Sequence, residues 1–163
     1  MASQAAITRQ NNILSPSRFL LVVRTPDLTD ISFWCTNVTI PSIDVQYDEV
    51  HFRKFSVNMT GSKIKYNPLS VKFIVDEDLY NYTKLQEWLV GTVSNEEEGA
   101  SKVGIMVLVH DNANNPIKRV TFTDCFPLTV SELQFDTTLA SSVPLYVDVE
   151  FSIQSFRIES IRD

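Results

Sequence analysis

Glycine is scarce, with four in 163 residues. Phosphate-cradling loops use glycine for close backbone approach, and neither a G-x-x-x-x-G-K-[ST] loop nor a G-x-G-x-x-G turn occurs. Cysteine and histidine occur twice each. Two cysteines cannot build a disulfide framework. Cys35 and Cys125 sit in apolar, strand-like surroundings and read as reduced, buried small hydrophobes. His51 and His110 lie near no second metal-ligating type at usable spacing, so neither a metal site nor a cofactor is expected. No G-x-S-x-G elbow occurs and no nucleophile is flagged beside a base, so no catalysis is expected. Long apolar runs are missing too, the longest being residues 19–23, far short of a bilayer. The N-terminus carries no charged segment ahead of an apolar one, which predicts a protein made and kept in a cytoplasm. Positive charge is in deficit: 14 Lys plus Arg against 20 Asp plus Glu, a net charge of −6. That argues against gripping nucleic acid by its phosphates.

What is present is strand-forming. Apolar residues make up 44% and charged residues 21%, enough to bury one core. Residues 1–17 are small and polar and read as a flexible arm, with residues 18–163 as one domain. Residues 18–25 are apolar on both faces, which suggests cover on both sides. A second strand is expected over 31–40, ending at Pro41. Residues 69–75 alternate cleanly. One helix follows, capped by Asp76 or Asp78, with Leu79, Tyr82, Leu85, Trp88 and Leu89 at three- to four-residue spacing and Gly91 as its end. Leu85 and Trp88 are placed in the core with Phe126 and Pro127. Residues 104–110 and 117–124 read as a hairpin, Phe126-Pro127 as a break, and 132–137 as a short strand. The last element alternates over 145–153. Its wet face carries Asp148, Glu150, Ser152 and Gln154. Glu96-Glu97-Glu98 reads as a solvated loop. The sum is a mostly β chain with one helix, an antiparallel sandwich or open barrel.

Residues 42–59 read as a long hairpin with its tip near Asp48-Glu49 and with aromatics and both signs of charge on its arms. Its candidate contact residues are Val45, Tyr47, Asp48, Glu49, Val50, Phe52, Arg53, Lys54 and Phe55. A hairpin that leaves its domain cannot bury such side chains alone and needs a partner. The other reading is an ordinary hairpin folded on its own core.

Several strings together resemble the tail tube proteins of T-even-type contractile bacteriophages. They are Phe33-Trp34-Cys35 with Pro41 six residues on, Val57-Asn58-Met59-Thr60-Gly61, Ser70-Val71-Lys72-Phe73, Asp76-Glu77-Asp78, and Lys84-Leu85-Gln86-Glu87-Trp88. The most specific runs from Phe126-Pro127 through Val130 to Glu132-Leu133-Gln134-Phe135-Asp136. The type VI secretion and pyocin tube proteins look similar in fold.

The resemblance implies a structural subunit of a viral tail, assembled in the host cytoplasm. Six copies would form a ring around a continuous β-barrel, and rings would stack into a tube inside a contractile sheath. Implied partners are further copies of itself, sheath, tape-measure, baseplate and tail-terminator proteins, with DNA passing through unbound. The projecting hairpin would pack on neighbouring subunits. Asp148 and Glu150 would line an acidic lumen or face outward between rings. A repeating subunit is favoured over a baseplate initiator with added domains, a terminator, or a bacterial secretion tube. A β-sandwich that binds a small ligand or carbohydrate is the alternative from another class.

Overall fold

The computed structural model describes residues 13–24, 32, 34–94, 102–140 and 142–161. The glutamate loop at 96–98 and most of the 1–17 arm lie outside them. Alternation decides the strands. β5 (Leu69–Ile74) buries Leu69, Val71 and Phe73 and turns Ser70, Lys72 and Ile74 the other way. β8 (Tyr146–Ser152) does the same with Val147, Val149 and Phe151. The remaining strands are β1 (Phe19–Val23), β2 (Cys35–Thr39), β3 (Ile43–His51), β4 (Ser56–Tyr66), β6 (Val103–His110), β7 (Pro116–Val130) and β9 (Ser155–Ser160).

Seven strands form one antiparallel path in the order β1-β6-β7-β8-β5-β2, with β9 added on β7. The path does not close into a barrel; β1 and β2 are its two ends. The expected single-chain barrel is therefore open. β7 links the two halves. Its residues 118–123 pair with β9 and its residues 126–130 pair with β8. Asp124, with φ of 52°, sits where β7 passes from one half to the other. At the open seam, Leu14 and Pro16 lie over a cavity of about 140 Å³ walled by Phe19, Val38, Val107 and Val109.

The helix α1 (Tyr80–Ser94) packs on the core through Leu85, which is fully buried, and Trp88, whose ring centre is 5.7 Å from that of Phe151. Asp76 caps it: its Oδ1 accepts from the Asn81 amide, and the Asn81 side chain accepts from the Asp76 amide and donates to the Ile74 carbonyl. Gly91 does not end the helix, which runs on to Ser94. The Thr92 and Ser94 hydroxyls donate to the Trp88 and Val90 carbonyls and extend the last turn.

Three further expectations change. Phe126-Pro127 is no break, because β7 continues through both. The pairing with β8 slips between Pro127 and Thr129, and a bulge is where a strand tolerates proline's missing N–H. Pro127 is buried and Phe126 half-buried. Residues 132–137 form no strand. Ser131 exchanges bonds with the Asp148 backbone, and Asp136 then turns the chain by accepting from the Thr138 amide and hydroxyl. The element expected over 145–153 is β8, but it is not the last: β9 follows after Ile153-Gln154 as a strand that was not expected, and β7 is the longest strand among the described residues.

Candidate assembly surfaces

β3 and β4 stand apart as their own two-stranded sheet. The turn lies at Phe52–Phe55, where the Phe52 amide donates to the Phe55 carbonyl at 2.8 Å and the two rings stack at 5.1 Å. This moves the tip from Asp48-Glu49, which sit within the ladder opposite Met59 and Asn58. Two aromatics flanking Arg53-Lys54 hold the turn better than a pair of carboxylates would. The ribbon is longer than expected, since β4 runs on through Gly61 to Tyr66. At its base the Tyr66 ring meets Phe156 edge-on at 5.7 Å.

The ribbon's apolar side chains stay in solvent. Tyr47 is 63% exposed, Phe55 62%, Ile64 60% and Met59 58%, with Ile43, Val45, Val50, Phe52 and Val57 also exposed. Ile43, Met59 and Ile64 were not among the contact residues singled out by the sequence; Ile64 lay outside the assumed hairpin. The pairing register sorts them. In the base half Ile43 and Val45 lie opposite Tyr66 and Ile64. In the outer half Asp48 and Val50 lie opposite Met59 and Val57, so these four share one face. By alternation along β3, that face is the one opposite Ile43 and Val45. Beyond the bulge between Val45 and Tyr47 both faces carry apolar side chains, Tyr47 on the face of Ile43 and Val45, and Val50, Val57 and Met59 on the other. Gly61 makes that bulge possible, since a Cβ there would overlap the Gln46 carbonyl.

The predicted wet face of β8 is turned to the outside. Asp148 and Glu150 are exposed beside Lys72 and Ser70 of β5, and Lys72 Nζ reaches Asp148 Oδ2 at 3.5 Å. Lys72 also sits 5.6 Å from the Tyr146 ring centre. Gln154 is exposed and Ser152 half-buried at the bend before β9.

Chemistry of other kinds has little support here. Burial pushes the Cys35 and Cys125 thiols up to about 11, so neither is a ready nucleophile. Among the described residues no three His, Cys, Asp or Glu side chains converge as a metal site. No helix there is long and apolar enough to cross a membrane.

No family model matches the chain. It is 28% identical over 132 residues to the tail tube terminator protein of Enterobacteria phage T4, spanning 76% of this chain and 75% of that protein. In fold it is similar to a chain of the anti-feeding prophage tube-terminating cap, with a TM-score of 0.69, 15% identity, and coverage of 98% of this chain and 99% of the other. It is equally similar to a chain of the anti-feeding prophage baseplate, with a TM-score of 0.69, 12% identity, and coverage of 95% and 100%. The fold is thus that of tube-associated proteins of contractile injection systems. The likeness favours a terminator over the repeating subunit suggested by the sequence strings.

Proposed function

We propose that this chain is the terminator of a contractile tail tube: a non-enzymatic protein whose copies close a ring on the tube end. The carrying observation is the 28% identity to a tail tube terminator over three quarters of both chains. The architecture supports it. A sheet open at β1 and β2 offers edges to neighbours, and closing a ring hides edges that would otherwise aggregate. A heterologous interface closes such a ring and leaves its two faces free to differ, one to seat on the tube and one to stop it. The exposed β3–β4 ribbon is the part that reaches a neighbouring copy. Six copies, contacts with tube and sheath, and passage of DNA through an acidic lumen near Asp148 and Glu150 belong to this reading. A net charge of −6 repels rather than holds a polyanion.

Electron microscopy of the purified protein over a range of concentrations tests it. Closed rings that never lengthen, and that bind the ends of preformed tubes, are expected. Long tubes from this chain alone would replace the terminator with the repeating subunit. Rings that start tubes would favour an initiator, the reading to which the baseplate likeness points.

A further inference from the structure

The outward face of the β1-β6-β7-β9 half has a composition at odds with the acidic chain. Register fixes two adjacent cross-strand rows on it. One runs Leu20, Leu108, Arg119, Glu159, and the next runs Val22, Met106, Thr121, Arg157. Their neighbours in the strands, Leu21, Val107, Val120 and Phe122, point into the core, so these rows point away from it. Arg24 extends the face, its Cδ lying 3.5 Å from where a Gly104 Cβ would be. Leu20 is 46% exposed. Three arginines thus oppose one glutamate around four aliphatic side chains. Arg157 reaches Glu159 at 3.8 Å. Arg24 and Arg119 have no carboxylate partner among the described residues, and the buried Arg119 Nε has no hydrogen-bond acceptor there.

An apolar centre with arginine beside it is the anatomy of a protein interface. A nucleic-acid surface would bring basic groups together with aromatics for stacking, and the two rows contain no aromatic residue. We infer that this face receives the outer half of the β3–β4 ribbon of a second copy, with Asp48 of that ribbon directed to Arg119. The ribbon's outer half offers the complementary set on one face: Val50, Val57 and Met59 with Asp48. Its length suffices. The outer half, from Asp48 to the turn at Phe52, extends about 16 Å, comparable to the roughly 15–19 Å that four strands side by side span. The match also gives both surfaces an occupant of the same chain. The ribbon is marginal as an isolated two-stranded sheet, and the arginine face sets one glutamate against three arginines.

The inference rests on the ring-forming part of the proposed function and adds the receiving surface. A charge-swap series in the full chain tests it, with ring formation followed by sedimentation velocity and microscopy. Arg119→Glu and Asp48→Lys should each raise the concentration for half-assembly about tenfold or more, and the double variant should recover most of the loss. Arg157→Glu, at an exposed position, serves if Arg119→Glu does not fold, and should weaken rings in the same direction. Rings unaffected by either arginine reversal, or singles that weaken without recovery in the double, overturn the inference and leave the terminator reading standing. Swap-sensitive assemblies that grow into tubes keep the inference and overturn the terminator. Wild-type protein that forms no ring overturns both.

Discussion

β5 and β4 are neighbours in sequence and both are strands rich in apolar residues, yet they live in different solvents. In β5, Leu69, Val71 and Phe73 have no exposed surface. In β4, Val57, Met59 and Ile64 are each more than two-fifths exposed. The difference is the company each strand keeps. β5 is flanked by β2 and β8 and covered by the core, whereas β4 has β3 alone. The comparison separates two kinds of stability: that of the monomer, which resides in the seven-stranded body, and, under the proposed function, that of the assembly, to which the ribbon would contribute. Variants should therefore fall into two sets that do not mix.

The largest effect is expected in the body. Phe73→Ala removes a fully buried ring and leaves a cavity among Val71, Val147 and their neighbours. It should cost about 3–5 kcal/mol, measured by urea unfolding, and lower the midpoint of the whole molecule. A loss below about 1 kcal/mol would mean that the body is not one packed unit.

Gly61→Val should do the reverse. Its side chain would collide with the Gln46 carbonyl, so the bulge and the outer half of the ribbon must shift. The body does not rely on that residue, and its thermal midpoint should stay within about 2 °C of wild type, as for surface changes of under ~0.5 kcal/mol. Ring formation should be lost. Rings that form normally from this variant would remove the ribbon from the assembly and undo the separation argued above.

How far the sequence was legible follows the same division. Period-two alternation located β5 and β8 because each buries one face, and helical spacing placed Leu85 and Trp88 against the core. The failures occur where local signals meet long-range pairing. Proline at 127 reads as a stop, but β8 supplies a partner strand and the register slip removes the need for its N–H. Gly91 reads as a helix end, but the helix runs through it to Ser94. The carboxylates at 48 and 49 read as a tip, although the stacked Phe52 and Phe55 hold the turn. The ribbon's aromatics were readable in two ways, and their exposure removes the one in which the hairpin folds on its own core. The arginine face was not, because Arg24, Arg119 and Arg157 come together only through the pairing of β1, β6, β7 and β9.

A smaller effect is expected on the opposite half of the body. Asp148 and Lys72 form an ion pair that is about half exposed on each side. Such pairs contribute about 0–1 kcal/mol and weaken with salt. Asp148→Lys with Glu150→Lys should therefore shift the unfolding free energy by about 1 kcal/mol or less, and leave rings intact. In the assembled particle the same pair of changes should impair DNA delivery if these residues line the lumen. Normal infectivity would place this face elsewhere.

The smallest expected effect lies in the loop after β7, where neither body packing nor ribbon contact is at stake. Hydrogen bonds from the Thr138 hydroxyl and amide, at 2.7 and 2.8 Å, hold the Asp136 carboxyl below its ordinary value. A carboxyl lowered on folding stabilises the folded form above its unfolded pKa, and that contribution is lost as pH falls through the folded value. The window is therefore acidic, below about pH 4. Thr138→Val removes the stronger donor and keeps the amide, so the Asp136 midpoint in an NMR titration should rise toward the ordinary carboxylate value without reaching it. The thermal midpoint at pH 7 should barely change, because the site is fully exposed and both carboxylates remain charged there. An unchanged Asp136 midpoint in the variant would show that the amide alone sets the turn. The hydroxyl at 138 would then have no part in ending the segment that the sequence marked as a strand.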